Sequence, residues 1–128
     1  MNNAELICTR EALHLTVRQL AELVWVHEHT VRDWESGNNE RIPDDVADML
    51  KKIEDVIEVT VEQIKTTFFE SKEDENTLAV YVSDEDYKTS IHYISELPLA
   101  SLHRCLQYRA KVALERKGIN VELVSSWN

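Results

Sequence analysis

The spacing of small and apolar residues between Leu15 and Gly37 constrains this chain more than any other feature. Leu15, Leu20, Ala21, Val26, Val31 and Trp34 stand where two short helices need buried contacts if they cross at close range. Leu20 and Val31 anchor the two helices, Ala21 lets the second backbone approach, Val26 fills the turn and Trp34 packs beneath the second helix. Thr16 supplies an N-cap for a helix over 17–24, and Thr16 with Gln19 has the Thr-x-x-Gln form of a capping box. A break at Trp25 and Val26 leads to the next helix, over 28–36, which Gly37 ends by taking the left-handed conformation a helix C-terminus often needs. An earlier helix over 3–12 turns Leu6 and Leu13 inward.

Only four residues of the 128 are Gly or Pro and 43% are hydrophobic, which suits a helix-rich globule rather than a disordered chain. Pro43 closes the first segment. From Asp44, the series Val46, Leu50, Ile53, Ile57, Val61, Ile64, Phe68 keeps helical steps over a length that suggests a coiled-coil-like or dimer contact. A charged connector, 71–76, precedes a short strand over 77–82 that alternates Leu78, Val80 and Val82. Ser83 opens a helix over 84–95, a longer helix over 99–117 ends at Gly118, and 121–124 forms a last strand. Two short strands cannot hold a sheet alone, so they pair with each other or with a second subunit.

Several classes of function find no support. No apolar run reaches the roughly 18 residues of a membrane helix, and the first residues lack a signal-peptide pattern, so a cytoplasmic protein without membrane contact is expected. Cys8 and Cys105 stand alone, so reduced thiols are expected. His27 and His29, taken with Cys8 and His14, do not make a metal site, since positions i and i+2 on a helix diverge. His92, His103 and Cys105 make none either. Without a phosphate-cradling loop or a paired nucleophile and base, neither catalysis nor a cofactor is expected.

With its packing positions in place, the stretch Leu15-Thr16-x-x-x-Leu20-Ala21-x-x-x-x-Val26-x-x-x-Thr30-Val31-x-x-Trp34-Glu35-x-Gly37 resembles the lambda-repressor-like (XRE) helix-turn-helix family over residues 5–50. The resemblance implies that the helix from Glu28 reads the major groove with its outward residues, which are Glu28, His29, Arg32 and Asp33; Thr30, Val31 and Trp34 turn inward. Arg32 suits guanine O6 and N7, and Glu28 or Asp33 suits cytosine N4. Phosphate contacts then fall to Thr16, Arg18, Gln19, Asn38, Asn39 and Arg41. Arg10 and Glu35 occupy positions that form a structural ion pair in that family. Two residues depart from the pattern: Trp25 stands where the family has Gly, and His27 where it has a Ser or Thr cap.

Beyond residue 50 the order of long helix, strand, helix and late helix, with Trp34-Glu35-Ser36-Gly37, Ile42-Pro43-Asp44-Asp45-Val46 and Leu78-Ala79-Val80-Tyr81, resembles the YdiL-like proteins and the anti-CRISPR-associated (Aca) regulators of phages. The expected fold is mainly α: a helix-turn-helix DNA-binding domain over 1–50 and a small α+β dimerisation lobe over 51–128. Ile53, Ile57, Val61, Ile64, Tyr81, Leu102 and Leu106 are candidates for the dimer interface or for the lobe's own core. The resemblance implies a homodimeric transcriptional repressor of a palindromic operator on double-stranded DNA, controlling its own anti-CRISPR-like operon. An antitoxin-type module with a protein partner is the alternative, and RNA binding a third reading. The net charge of -10 favours the alternative, and within residues 1–50 four arginines face ten acids.

Overall fold

The computed structural model describes residues 1–38, 41–71 and 76–125. They form six helices and a two-stranded parallel sheet, a mainly helical fold with a small α+β part. The chain divides into two compact units, residues 1–54 and residues 55–128.

Unit 1 holds α1 (Asn3–Ala12), α2 (Val17–Val24), α3 (Glu28–Ser36) and the first turns of α4 (Asp44–Glu70). Each of the first three starts where a local residue dictates. Asn2 and Glu5 form a reciprocal capping box on α1, an arrangement the sequence reading overlooked, and Thr16 and Gln19 form the expected one on α2. Gly37 ends α3 at φ 76, and Asn3 lies so close that an added Cβ would sit 3.2 Å from its Nδ2. The left-handed conformation favours glycine there, and a larger residue would also have to displace the Asn3 side chain by a few tenths of an ångström. Leu6, Leu13, Leu15, Leu20, Ala21, Val31, Trp34, Ile42, Val46, Leu50 and Ile53 are buried in this unit.

Unit 2 holds the rest of α4, β1 (Thr77–Val80), α5 (Asp84–Lys88), α6 (Ala100–Glu115) and β2 (Glu122–Ser125). β1 and β2 pair with each other, in parallel, in the register Thr77 to Glu122 through Val80 to Ser125. A parallel pair needs a long crossover, and here α5 and α6 lie within it. Leu78, Ala110, Leu114 and Val121 make one buried cluster, with Val61, Ile64, Phe68, Ile119 and Leu123 packed partly buried against it. Tyr81, Tyr87 and Ala100 make another. Most of α6's first two turns is buried, on nearly every face.

Two expectations need correction in unit 2. The strand ends at Val80 rather than at 82: Val82 is exposed and Tyr81, out of phase with the expected alternation, is buried. The helix expected over 84–95 stops at Lys88. Thr89 Oγ1 bonds back to the Glu85 carbonyl and Ser90 Oγ to the Tyr87 carbonyl at 2.8 Å, which offers the backbone an alternative to the helical ladder. Tyr87 then secures the turns that follow, its hydroxyl donating to the Leu97 carbonyl at 2.7 Å and accepting from the Ile94 N–H at 3.1 Å. Ile91, an inward position on the longer helix, is 95% exposed. Of the candidates for interface or core, Ile53 in unit 1 and Ile57, Tyr81, Leu102 and Leu106 in unit 2 are buried within the single chain. Val61 and Ile64 are half-buried against the cluster around Leu114.

The N-terminus of α6 is capped from a distance. Leu99 has no side chain that can accept a hydrogen bond, and Asp84 Oδ1 takes the Ala100 N–H at 2.8 Å instead. Among the described residues no helix is long and apolar enough to cross a membrane.

Candidate nucleic-acid interface

Arg10 organises unit 1 from its interior side. Its Nε and Nη2 each donate to a carboxylate oxygen of Glu35 at 2.9 Å, and its Nη1 donates to the Leu15 carbonyl at 2.9 Å. One guanidinium thereby joins α1, the turn before α2, and the end of α3. The two side chains are only 15% and 12% exposed, and the hydrogen bonds to Glu35 outweigh burial to raise the Arg10 pKa above its ordinary value.

With Val31 and Trp34 buried beneath it, α3 presents the opposite side to solvent. His29 and Arg32 are exposed there, Glu28 and Asp33 partly so, and Thr30 is half-buried. Arg32 is not idle on this surface: its Nη2 donates to Glu28 Oε2 at 3.1 Å, one turn back. Arg18 likewise pairs with Glu22 at 3.2 Å, and Arg41 with Asp44 at 3.3 Å. The sequence reading counted these acids without pairing them to the three arginines, although Arg18 to Glu22, Glu28 to Arg32 and Arg41 to Asp44 stand three or four residues apart, the spacing at which side chains meet on a helix. Each pair is solvent-exposed and so worth about 1 kcal/mol at most. The arginines are therefore held only loosely and can be redirected.

Thr16 and Gln19 are occupied in their capping box, and α2 opens with the Val17 and Arg18 N–H groups at its start, where a helix leaves its donors without intrahelical partners. Asn38 is exposed; Asn39 lies outside the described residues. α3 begins without a side-chain cap, because His27 makes no such bond. The Thr30 N–H donates back to the His27 carbonyl at 3.0 Å, and Glu28 is the acid of the first turn, at the positive end of the helix.

His27 is the extended N-cap of α3, at φ -76 and ψ 154, and its ring stacks on His29 with centroids 5.5 Å apart. The helical argument that 27 and 29 diverge fails for that reason. Even so, among the described residues no group of three His, Cys, Asp or Glu gathers where it could hold a metal ion. Trp25 adopts the left-handed conformation at φ 61 that the family fills with Gly, and its N–H donates to the Ala21 carbonyl. For a non-glycine residue this costs about 1 kcal/mol or more. Its ring is 94% exposed beside a shallow cleft lined by Ala21, Glu22, Val26 and His27.

No curated protein matches the chain closely enough to be informative. Residues 1–97 match the Aca2/YdiL-like family, and the chain belongs to that family of regulator-type proteins.

Proposed function

We propose that the chain is a sequence-specific DNA-binding transcriptional repressor that acts as a homodimer on an inverted-repeat operator and controls its own operon. The observation that carries this reading is the division of α3: Val31 and Trp34 are buried, while His29 and Arg32 are exposed and Glu28 and Asp33 partly so. On DNA, Arg32 exchanges Glu28 for guanine. The surface pair it gives up is worth about 1 kcal/mol at most, and a bidentate contact to guanine about 1–3 kcal/mol, so the exchange is favourable. Glu28, once released, can accept from cytosine N4. Arg18, Arg41, Thr16, Gln19 and Asn38 with Asn39 take phosphates, and two α3 helices about 34 Å apart meet successive major grooves.

A gel shift against the DNA upstream of the chain's own gene tests this. Binding at low salt that Arg32→Ala weakens at particular base pairs supports it, and no binding at low salt refutes it. Trp25 favours a second reading, because a large ring held outward at a conformational cost suits a protein partner, as in an antitoxin-type module. Retention of a protein partner by a chain that ignores duplex DNA would select that reading.

A further inference from the structure

Unit 1 contains four arginines, and each is held on a carboxylate. They are held in two different ways. Arg10 is largely buried and uses three nitrogens, two on Glu35 and one on the Leu15 carbonyl. Arg18, Arg32 and Arg41 are exposed, and each reaches its acid through one nitrogen, at 3.2 Å for Glu22, 3.1 Å for Glu28 and 3.3 Å for Asp44. The first arrangement joins helices. The other three join only neighbours along the chain, yet they set a competing anion beside every exposed arginine of unit 1.

What a duplex must offer to displace that anion differs among the three. Arg18 and Arg41 are candidates for phosphate, and a phosphate gives Glu22 and Asp44 no donor in exchange. Each acid is anchored only three or four residues from its arginine, so at 0.15 M salt, where screening takes roughly 8 Å, it still repels the phosphate the arginine has reached. The uncovered carboxylate also attracts a cation, which offsets the cation released from the DNA. Glu28 differs in position, since it lies with Arg32 on α3, in the helix's first turn. Guanine offers O6 and N7 to an arginine, and the cytosine paired with it offers its N4 amino group to a carboxylate. At such a pair both members of the broken ion pair find a new partner. An A·T pair gives the arginine fork no two adjacent acceptors on one base.

We propose that these three acids set how the protein discriminates among duplexes. Glu22 and Asp44 lower affinity for every duplex alike, whereas Glu28 is a specificity-determining residue that withholds Arg32 from sequences lacking a suitably placed G·C pair. This rests on the DNA-binding reading above and names what selects the site. On a wrong sequence Arg32 either stays on Glu28 or abandons it beside a phosphate, and neither choice gains much. On the right one the acid changes from competitor to contact.

The test titrates the full-length chain and the variants Glu22→Gln, Glu28→Gln and Asp44→Asn into two duplexes by fluorescence anisotropy at several salt concentrations. One duplex is the DNA upstream of the chain's own gene; the other has the same length and composition in scrambled order. Each substitution keeps the side chain's shape and removes one exposed charge, and thermal unfolding checks that the fold is kept. Glu22→Gln and Asp44→Asn are expected to tighten both duplexes by the same factor, up to about fivefold, and to steepen the slope of log affinity against log salt by up to about 0.9 per bound subunit. Glu28→Gln is expected to tighten only the scrambled duplex and to loosen the operator, so the ratio of the two affinities falls at least about fivefold. Surface pairs that merely stabilise their helices would shift the unfolding temperature and leave both the slope and the ratio unmoved. If the unsubstituted chain binds its operator and Glu28→Gln leaves the ratio unchanged, or Glu22→Gln and Asp44→Asn leave the slope unchanged, the proposal is overturned and the repressor reading stands. If no chain binds either duplex at low salt, both fall.

Discussion

His103 ties the stability of unit 2 to pH. Its ring is 2% exposed, lies 4.8 Å from the Tyr87 ring and 5.7 Å from that of Tyr81, and its Nδ1 has no partner. Burial, reinforced by the charges of His92 and Arg104, lowers its pKa to about 4. The unfolded chain binds this proton near pH 6.5 and the folded chain only near pH 4. Above pH 6.5 both forms are neutral there and nothing is lost. As the pH falls through that window the unfolded state gains a proton the fold refuses, so stability drops and levels off below pH 4. The full loss is about 3 kcal/mol, and about 2 kcal/mol of it is present by pH 5. His103→Leu removes the titration while roughly keeping the volume, so its cost at pH 7 should stay within about 1.5 kcal/mol. Urea unfolding followed by the methyl resonances of Leu106 and Leu114 gives the difference in stability between pH 7 and pH 5 for each chain. The carboxylates and the histidines other than His92, whose charge acts on His103, contribute equally to both chains and cancel. If His103→Leu leaves that difference unchanged, the buried imidazole is not its source.

Glu35→Gln leaves the Arg10 guanidinium half-buried without its counter-charge, and unfolding of unit 1 monitored by Trp34 should show a loss of about 3 kcal/mol. Trp25→Gly relieves the left-handed backbone and should stabilise unit 1 by up to about 1 kcal/mol in the same assay; DNA affinity that survives the change would place the ring outside the nucleic-acid contact. Glu28→Ala frees Arg32 and deletes an acid from the candidate surface, so binding to non-specific duplex should tighten, most visibly at low salt in a titration followed by fluorescence anisotropy.

Where structure follows from neighbours along the chain, the residues announced it. Thr16 with Gln19 starts α2 and Gly37 ends α3 because caps are local, and Leu20, Ala21, Val31 and Trp34 are buried because helix crossing demands it. The early end of α5 is a different matter. Thr89 and Ser90 offer the backbone a local alternative there, and the turns beyond are held by Tyr87 reaching Leu97 ten residues on, a contact without a periodic trace. The cap on α6 from Asp84, sixteen residues upstream, is equally invisible. In the candidate interface the opposite occurred: Glu22, Glu28 and Asp44 sat at visible pairing distances, yet counting total charge hid that each exposed arginine already had a companion. The seven apolar candidates for interface or core, from α4, α6 and the residue just after β1, show the limit of periodicity, which marks a face for burial without saying what covers it.

The parallel register of β1 with β2 also has a consequence for synthesis. Thr77 waits for Glu122, 45 residues later, and a ribosome adding about 5–20 residues per second needs roughly 2–9 s to deliver it. The crossing of α1, α2 and α3 needs nothing beyond the first few dozen residues. A nascent chain therefore passes through an interval in which the amino-terminal unit has its full set of contacts while Leu78 has no strand beside it. Any factor that shields apolar segments during translation has its opening then, and a chain cut short before Glu122 would carry a finished head on an unfinished lobe.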